Sequence, residues 1–171
     1  MRTKQVVVLP YDPGWEAAFR QIIAPLLKSL SPWLSAIEHV GSTSVPGMWA
    51  KPIIDLDLVL KDGGCFPFVK EGLAQLGYFH EGDLGIPGRE AFAYENKPER
   101  MAHHLYVCPP DSPELRRHLV FRDYLRTHPD QAEQYSLIKR QAAARFPQDI
   151  DGYMAMKAPC IQNLYQQCGL L

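Results

Sequence analysis

Residues 39–60, HVGSTSVPGMWAKPIIDLDLVL, decide how this chain reads. They hold a Gly-Ser turn at Gly41 and Ser42, a connector broken by Pro46, Gly47 and Pro52, and an apolar strand over 53–60 that carries two aspartates. Side chains alternate along a strand, so Asp55 and Asp57 share one face while Ile54, Leu56 and Leu58 share the other. Cα atoms two residues apart on a strand are separated by about 6.5–7 Å, so two such carboxylates can share one divalent cation or bridge two. Strand interiors disfavour aspartate. Two of them in a run of Ile, Leu and Val call for a cation, and the plainer alternatives are a solvated face or an Asp–Arg network.

The turn upstream completes a pattern. Glycine allows close phosphate approach or a positive φ, and the backbone amides that follow form an anion site to which the Ser42 hydroxyl adds a donor. Lys51 stands just before the aspartate strand, within reach of a phosphate, though a solvated loop lysine fits equally well. His39 beside the turn reads as structural. Nucleotidyl transfer needs such a combination. Carboxylates hold hard cations that activate the attacking oxygen and stabilise the leaving pyrophosphate, while the turn holds the terminal phosphates. Replacing both Asp55 and Asp57 by Asn should abolish Mg²⁺-dependent triphosphate binding while leaving the fold intact, or even stabilising it by relieving their repulsion.

Outward from this centre, 6–9 (VVVL) reads as a short strand, and Asp12-Pro13 opens a helix. Its stripe is Trp15, Phe19, Ile22, Ile23, Leu26 and Leu27, and Pro25 inside it predicts a kink or break. A strand follows at 35–40. After the aspartate strand, 65–76 reads as a helix with Phe68, Val69, Leu73 and Leu76 inward. A short strand at 78–81 and a hairpin of 90–95 with 102–107 come next. From 109 onward the pattern is helical: a capping-box start at 111–114 and a helix to about 126, a second over 129–145, and a third from 149 or 151 that Pro159 should kink. Arg122, Arg126, Lys139 and Lys157 lie on these helices. Helix charges of this kind usually form a solvated face, although an arginine such as Arg122 can clamp phosphate. Tyr124 and Tyr135 read as core.

The Gly-Ser turn, connector and Asp-x-Asp strand resemble the signature of the nucleotidyltransferase superfamily, the DNA polymerase beta-like fold. The full string, with YDPGW at 11–15 and FRDYLRTHP at 121–129, resembles the GrpB family, itself similar to the C-terminal extension of some dephospho-CoA kinases. The resemblance runs over about 6–165. It implies an α+β (α/β) architecture, a mixed β-sheet core with helices packed on it. The expected organisation is one domain over 1–171, with the sheet in about 1–108 and a helical part in about 111–171. It further implies Asp55 and Asp57 as metal ligands and, with His104, as catalytic residues. Gly41, Ser42, Lys51 and Arg122 would bind the nucleotide phosphates.

Superfamily members usually supply a third carboxylate from a later strand. Here that strand reads AHHLYV, with His104 and Tyr106 on one face and His103 on the other. His104 is therefore expected beside the strand that carries Asp55 and Asp57, facing them. Glu95 is the nearest acidic alternative. Imidazole is a poor ligand for Mg²⁺ and a better one for softer ions, so the cofactor reads as Mg²⁺ or a transition metal such as Mn²⁺.

Composition narrows the field. At 171 residues, 46% hydrophobic and 22% charged, the chain suits one globular domain. A net charge of −1 gives no global field for nucleic acid. Cys65, Cys108, Cys160 and Cys168 have neither zinc nor disulfide-framework spacing, which suits a reducing cytoplasm. The stretch MRTKQVVVLP is too short for a signal-peptide core, and no apolar run is long enough to span a membrane. Three functions remain: metal-dependent transfer of a nucleotidyl group from a nucleoside triphosphate to an unknown acceptor, a non-catalytic nucleotide-binding or accessory module, and an RNA-binding or RNA-modifying protein.

Overall fold

The computed structural model describes residues 5–171. Among them five strands form one mixed sheet: β1 (Leu34–Val40), β2 (Ile54–Leu60), β3 (Phe79–Gly82), β4 (Glu90–Ala93) and β5 (His103–Cys108), in the spatial order β1-β2-β5-β4-β3. β2 pairs antiparallel with β1 and parallel with β5, and the β3-β4-β5 half is antiparallel. The aspartate strand is thus an interior strand, the position that most strongly demands an apolar face. Ile54, Leu56 and Leu58 meet that demand by packing under α1 (Gly14–Leu30) and α2 (Phe66–Gln75), together with Phe92, Leu105 and Val107.

The opposite face carries Asp55 and Asp57, and its β1–β2 side is overlaid by the C-terminal helices α3 (Pro113–Thr127), α4 (Pro129–Arg145) and α5 (Ile150–Gln167). Leu115 and Leu119 of α3 pack on Val59 and Cys108. Val45 and Met48 of the connector pack among Leu125, Tyr135 and Leu164, tying the turn to all three helices. Local chemistry sets the helix starts. Ser112 Oγ accepts from Leu115 N at 3.2 Å ahead of Pro113, and Asp149 accepts from Gly152 N at 3.0 Å. Asp12 accepts from Gly14 N at 2.8 Å.

Several local expectations yield to tertiary packing. Residues 6–9 form no strand. A single bridge joins Leu9 to Ala50, and Val6 is instead held by a hydrogen bond to the Pro147 carbonyl. Pro25 does not break its helix, and α5 likewise runs on through Pro159. Around Pro25, Ile22 and Leu26 are fully buried in the main core and hold both flanks in helical register. Phe68 is 54% exposed rather than inward and stacks on Trp33, and Leu27 also faces outward. No helix among the described residues is long and apolar enough to cross a membrane.

Candidate active site

The Gly41 turn leaves β1 where Val40 pairs with Asp55, so turn and carboxylate meet at the sheet's rim. Gly41 has φ +73°, and a Cβ there would overlap Asp55 Oδ2; both the backbone angle and the close approach require glycine. A 3₁₀ turn over Ser42–Ser44 follows. His39 is the structural brace expected. It stacks on Phe19, pairs with Thr43 Oγ1 at 2.9 Å, and burial lowers its pKa to about 4, so it is neutral.

Both aspartates are paired to histidines. The parallel register sets Asp55 opposite His104, whose Nδ1 lies 2.9 Å from Asp55 Oδ1. Asp57, one step along, is 0% exposed, and His118 of α3 approaches its Oδ2 to 2.6 Å through Nδ1. The other nitrogen of His118 lies 3.2 Å from Glu114 Oε1, so one imidazole bridges two carboxylates. Burial opposes a charge on His118, but the hydrogen bond and charge of Asp57, with Glu114 and Asp55 behind, outweigh it and raise its pKa. Burial in turn raises the pKa of Asp57, with His118 pulling the other way. The expected mutual repulsion of Asp55 and Asp57 is therefore a minor effect beside the Asp57–His118 pair.

Across a cavity of about 270 Å³ from this wall stand three lysines, Lys51 from the connector, Lys139 from α4 and Lys157 from α5. Lys139 is 2% exposed and Lys157 7%, which overturns the solvated-face reading for both. Their ammonium groups rest over aromatic rings: Lys139 Nζ is 4.7 Å from the Tyr135 centroid and Lys157 Nζ 4.5 Å from that of Tyr153. Among the described residues Lys139 Nζ has no hydrogen-bond partner. Burial, then repulsion from Lys157 and Lys51, pushes the Lys139 pKa well down, and burial with Lys51 lowers Lys157 to about 8. Lys51 is lowered as well, by burial, with Asp55 opposing. Three lysines thus line one cavity, and burial disfavours a charge on each of them.

The cavity brings together Gly41, Ser42, Lys51, Asp55, His104 and Arg122, and adds His118, Lys139 and Lys157. Asp57 lies beneath, reaching it through His118. Arg122 is less free than a phosphate clamp should be. Its guanidinium holds Glu38 Oε2 at 2.7 Å, Asp123 Oδ1 at 2.9 Å and the His39 carbonyl at 3.1 Å, bracing the turn. Arg126 donates to the Ser44 carbonyl at 3.0 Å to similar effect. Glu95 is exposed beyond the end of β4 and lines neither this cavity nor its neighbour, so it is no third ligand. His118 was missed because a lone histidine on a helix gives no local sign of the strand it will meet.

Among the described residues no group of three or more His, Cys, Asp or Glu side chains is arranged to cage a metal. The arrangement does fit a cation held by two carboxylates and substrate phosphates, the usual mode for Mg²⁺. Asp57 Oδ1 is buried without a partner, and Asp55 opens onto the cavity.

The GrpB protein profile matches residues 5–167. The chain belongs to the GrpB family. The UPF0157 protein YqkA of Bacillus subtilis is 35% identical over 160 residues, 94% of this chain and 46% of that protein, so the chain spans about half of that relative's length. A dephospho-CoA kinase of Mycolicibacterium paratuberculosis is 26% identical over 187 residues, 95% of this chain and 46% of the kinase. Conserved protein GrpB from Enterococcus faecalis superposes with a TM-score of 0.82 at 32% identity, covering 95% of this chain and 96% of that one. The nucleotidyltransferase Cid1, in complex with its short product ApU, superposes with a TM-score of 0.56 at 13% identity over 80% of this chain and 43% of Cid1; that likeness is one of fold.

Proposed function

We propose that this protein transfers a nucleotidyl group from a nucleoside triphosphate to an acceptor. One observation carries the reading: a glycine turn and Asp55 of the Asp-x-Asp strand share a cavity with two buried lysines, Lys139 and Lys157, and the half-buried Lys51, and Lys139 Nζ has no hydrogen-bond partner among the described residues. A triphosphate brings the anion the lysines need. A divalent cation held by Asp55 and Asp57 would activate the attacking oxygen and stabilise the departing pyrophosphate. The protein's own groups then divide the work. Lys139, Lys157 and Lys51 bind the terminal phosphates and preorganise positive charge where pyrophosphate charge develops. The amides after Gly41 receive a phosphate oxygen. His118 orients Asp57, and His104 orients Asp55.

The second reading, binding of a nucleotide without transfer, is favoured by one feature: the third carboxylate expected on β5 is replaced by His104. Calorimetric titration with UTP and ATP, with and without Mg²⁺, followed by pyrophosphate detection, separates the two. Mg²⁺-dependent binding with pyrophosphate release supports transfer, and binding alone supports the second reading. If no triphosphate binds in the presence of Mg²⁺, both are wrong.

A further inference from the structure

Among the described residues, the face of the sheet that carries the aspartates lies under α3 beside β2, while toward β4 it is bordered by Gln5, Val7, Glu81 and Leu84. A second cavity of about 840 Å³ lies there, within the size range of ordinary ligand pockets. It is continuous with the lysine cavity, because Lys51, Ile53 and His104 line both. Whatever occupies it would sit against the Asp55–His104 pair. We propose that this groove is the acceptor site and that it takes a small, uncharged molecule with a flat ring and a free hydroxyl. The proposal rests on the nucleotidyl-transfer reading above and names its missing substrate class.

The lining determines the chemistry. Ala93 of β4 and Ala102 before β5, beside the buried Ala91, put little side chain between a ring and the strands. Tyr106, opposite Ala91 in the register, supplies an aromatic wall. Tyr106 is itself held by the Arg89 guanidinium, 4.2 Å from its ring centroid. Glu81 and Lys51 bring one charge of each sign. A polynucleotide would require a cationic track along its backbone, and a single lysine is no track. At the rim stands Leu84, 60% exposed, with φ +52°, the only non-glycine positive φ among the described residues. Such strain costs on the order of 1–3 kcal/mol and gathers at ligand sites.

The transfer balances with the groups present. The acceptor hydroxyl oxygen attacks the α-phosphorus and forms the new P–O ester. The bond from that phosphorus to the bridging oxygen breaks, and pyrophosphate leaves with the electron pair. The hydroxyl proton is released to solvent.

The test uses two neutral aromatic alcohols, tyrosol and adenosine, as probes in saturation-transfer NMR on the full chain. At least one should bind the wild-type protein. Its signal should fall at least fivefold in Ala93→Trp, which fills that space, and by less in Ala93→Leu, with thermal unfolding confirming that both variants fold. Lys139→Met should retain the probe while losing Mg²⁺-dependent triphosphate binding, and the probe should persist beside saturating Mg²⁺ and the UTP analogue UMPNPP. The acceptor assignment is overturned if probe binding is unchanged in both Ala93 variants, if UMPNPP displaces the probe, or if neither alcohol binds while a short oligouridylate does. A probe that occupies the groove in a protein that binds no triphosphate shows a different failure: the transfer reading falls, and the acceptor role with it.

Discussion

The two walls of the central cavity solve the problem of buried charge in opposite ways. On the sheet wall each carboxylate has its histidine: Asp55 with His104, Asp57 with His118, and Glu114 closing the chain behind His118. On the helical wall, Lys139 has no hydrogen-bond partner among the described residues, and the faces of Tyr135 and Tyr153 and the more distant charge of Asp55 temper it and Lys157. A paired buried charge is part of the fold, and removing one partner exposes the cost of the other. An unmatched buried charge is a cost the fold carries until something of opposite sign arrives. The sheet wall is therefore largely paired within the protein, with Asp57 Oδ1 left over for a cation, whereas the lysine wall calls for an anion.

The largest expected effect tests the paired wall. Asp57→Ala leaves His118 buried against Glu114 alone and should destabilise the protein by about 3–5 kcal/mol, as breaking buried pairs does. Urea unfolding measures it. The sequence alone leads to the expectation of an intact or stabilised fold when both aspartates are replaced by Asn; for Asp57→Ala, a loss under about 1 kcal/mol would mean that the Asp57–His118 pair contributes little.

Next in size comes the opposite sign on the other wall. Lys139→Met keeps the unbranched apolar stem, one atom shorter, and removes the unpartnered amino group, so the ligand-free protein should gain about 1–3 kcal/mol, while Mg²⁺-dependent triphosphate affinity falls by roughly a hundredfold, equivalent to about 2.7 kcal/mol. A destabilised variant that still binds triphosphate would erase the contrast between the walls.

The smallest effect is in protons. Lys157 titrates near 8 in the folded protein against an ordinary 10.5. Between those values the unfolded chain binds more protons than the folded one, so this residue's burial costs most below pH 8, and its contribution to stability improves as pH rises toward 10.5. The difference in urea midpoint between wild type and Lys157→Met should shrink over that window. A bound triphosphate should restore the proton and flatten the trend, which calorimetry in buffers of different ionisation enthalpy detects as proton uptake of less than one per site near pH 8. An unchanged difference between pH 7.5 and 9.5 would place Lys157 in water rather than in the wall.

The sequence by itself determined what short-range physics controls. The alternation of Asp55 and Asp57 against Ile54, Leu56 and Leu58 follows from the period of a strand. The Ser112-Pro113 start of α3 and the run of α4 over Pro129–Arg145 follow from capping and proline chemistry, and the family resemblance supplied the mixed sheet. Even the placement of His104 against Asp55 followed once β5 was set beside β2. What only the tertiary structure decided lies in contacts with no local signature. Proline's preference to break a helix lost to the buried neighbours of Pro25. His118 reads as an ordinary helical residue until α3 lies over β2. Lys139 and Lys157 read as solvated until α4 and α5 turn them inward toward Lys51. A lysine's local pattern carries no record of which side of its helix will be covered, because that depends on how distant segments pack.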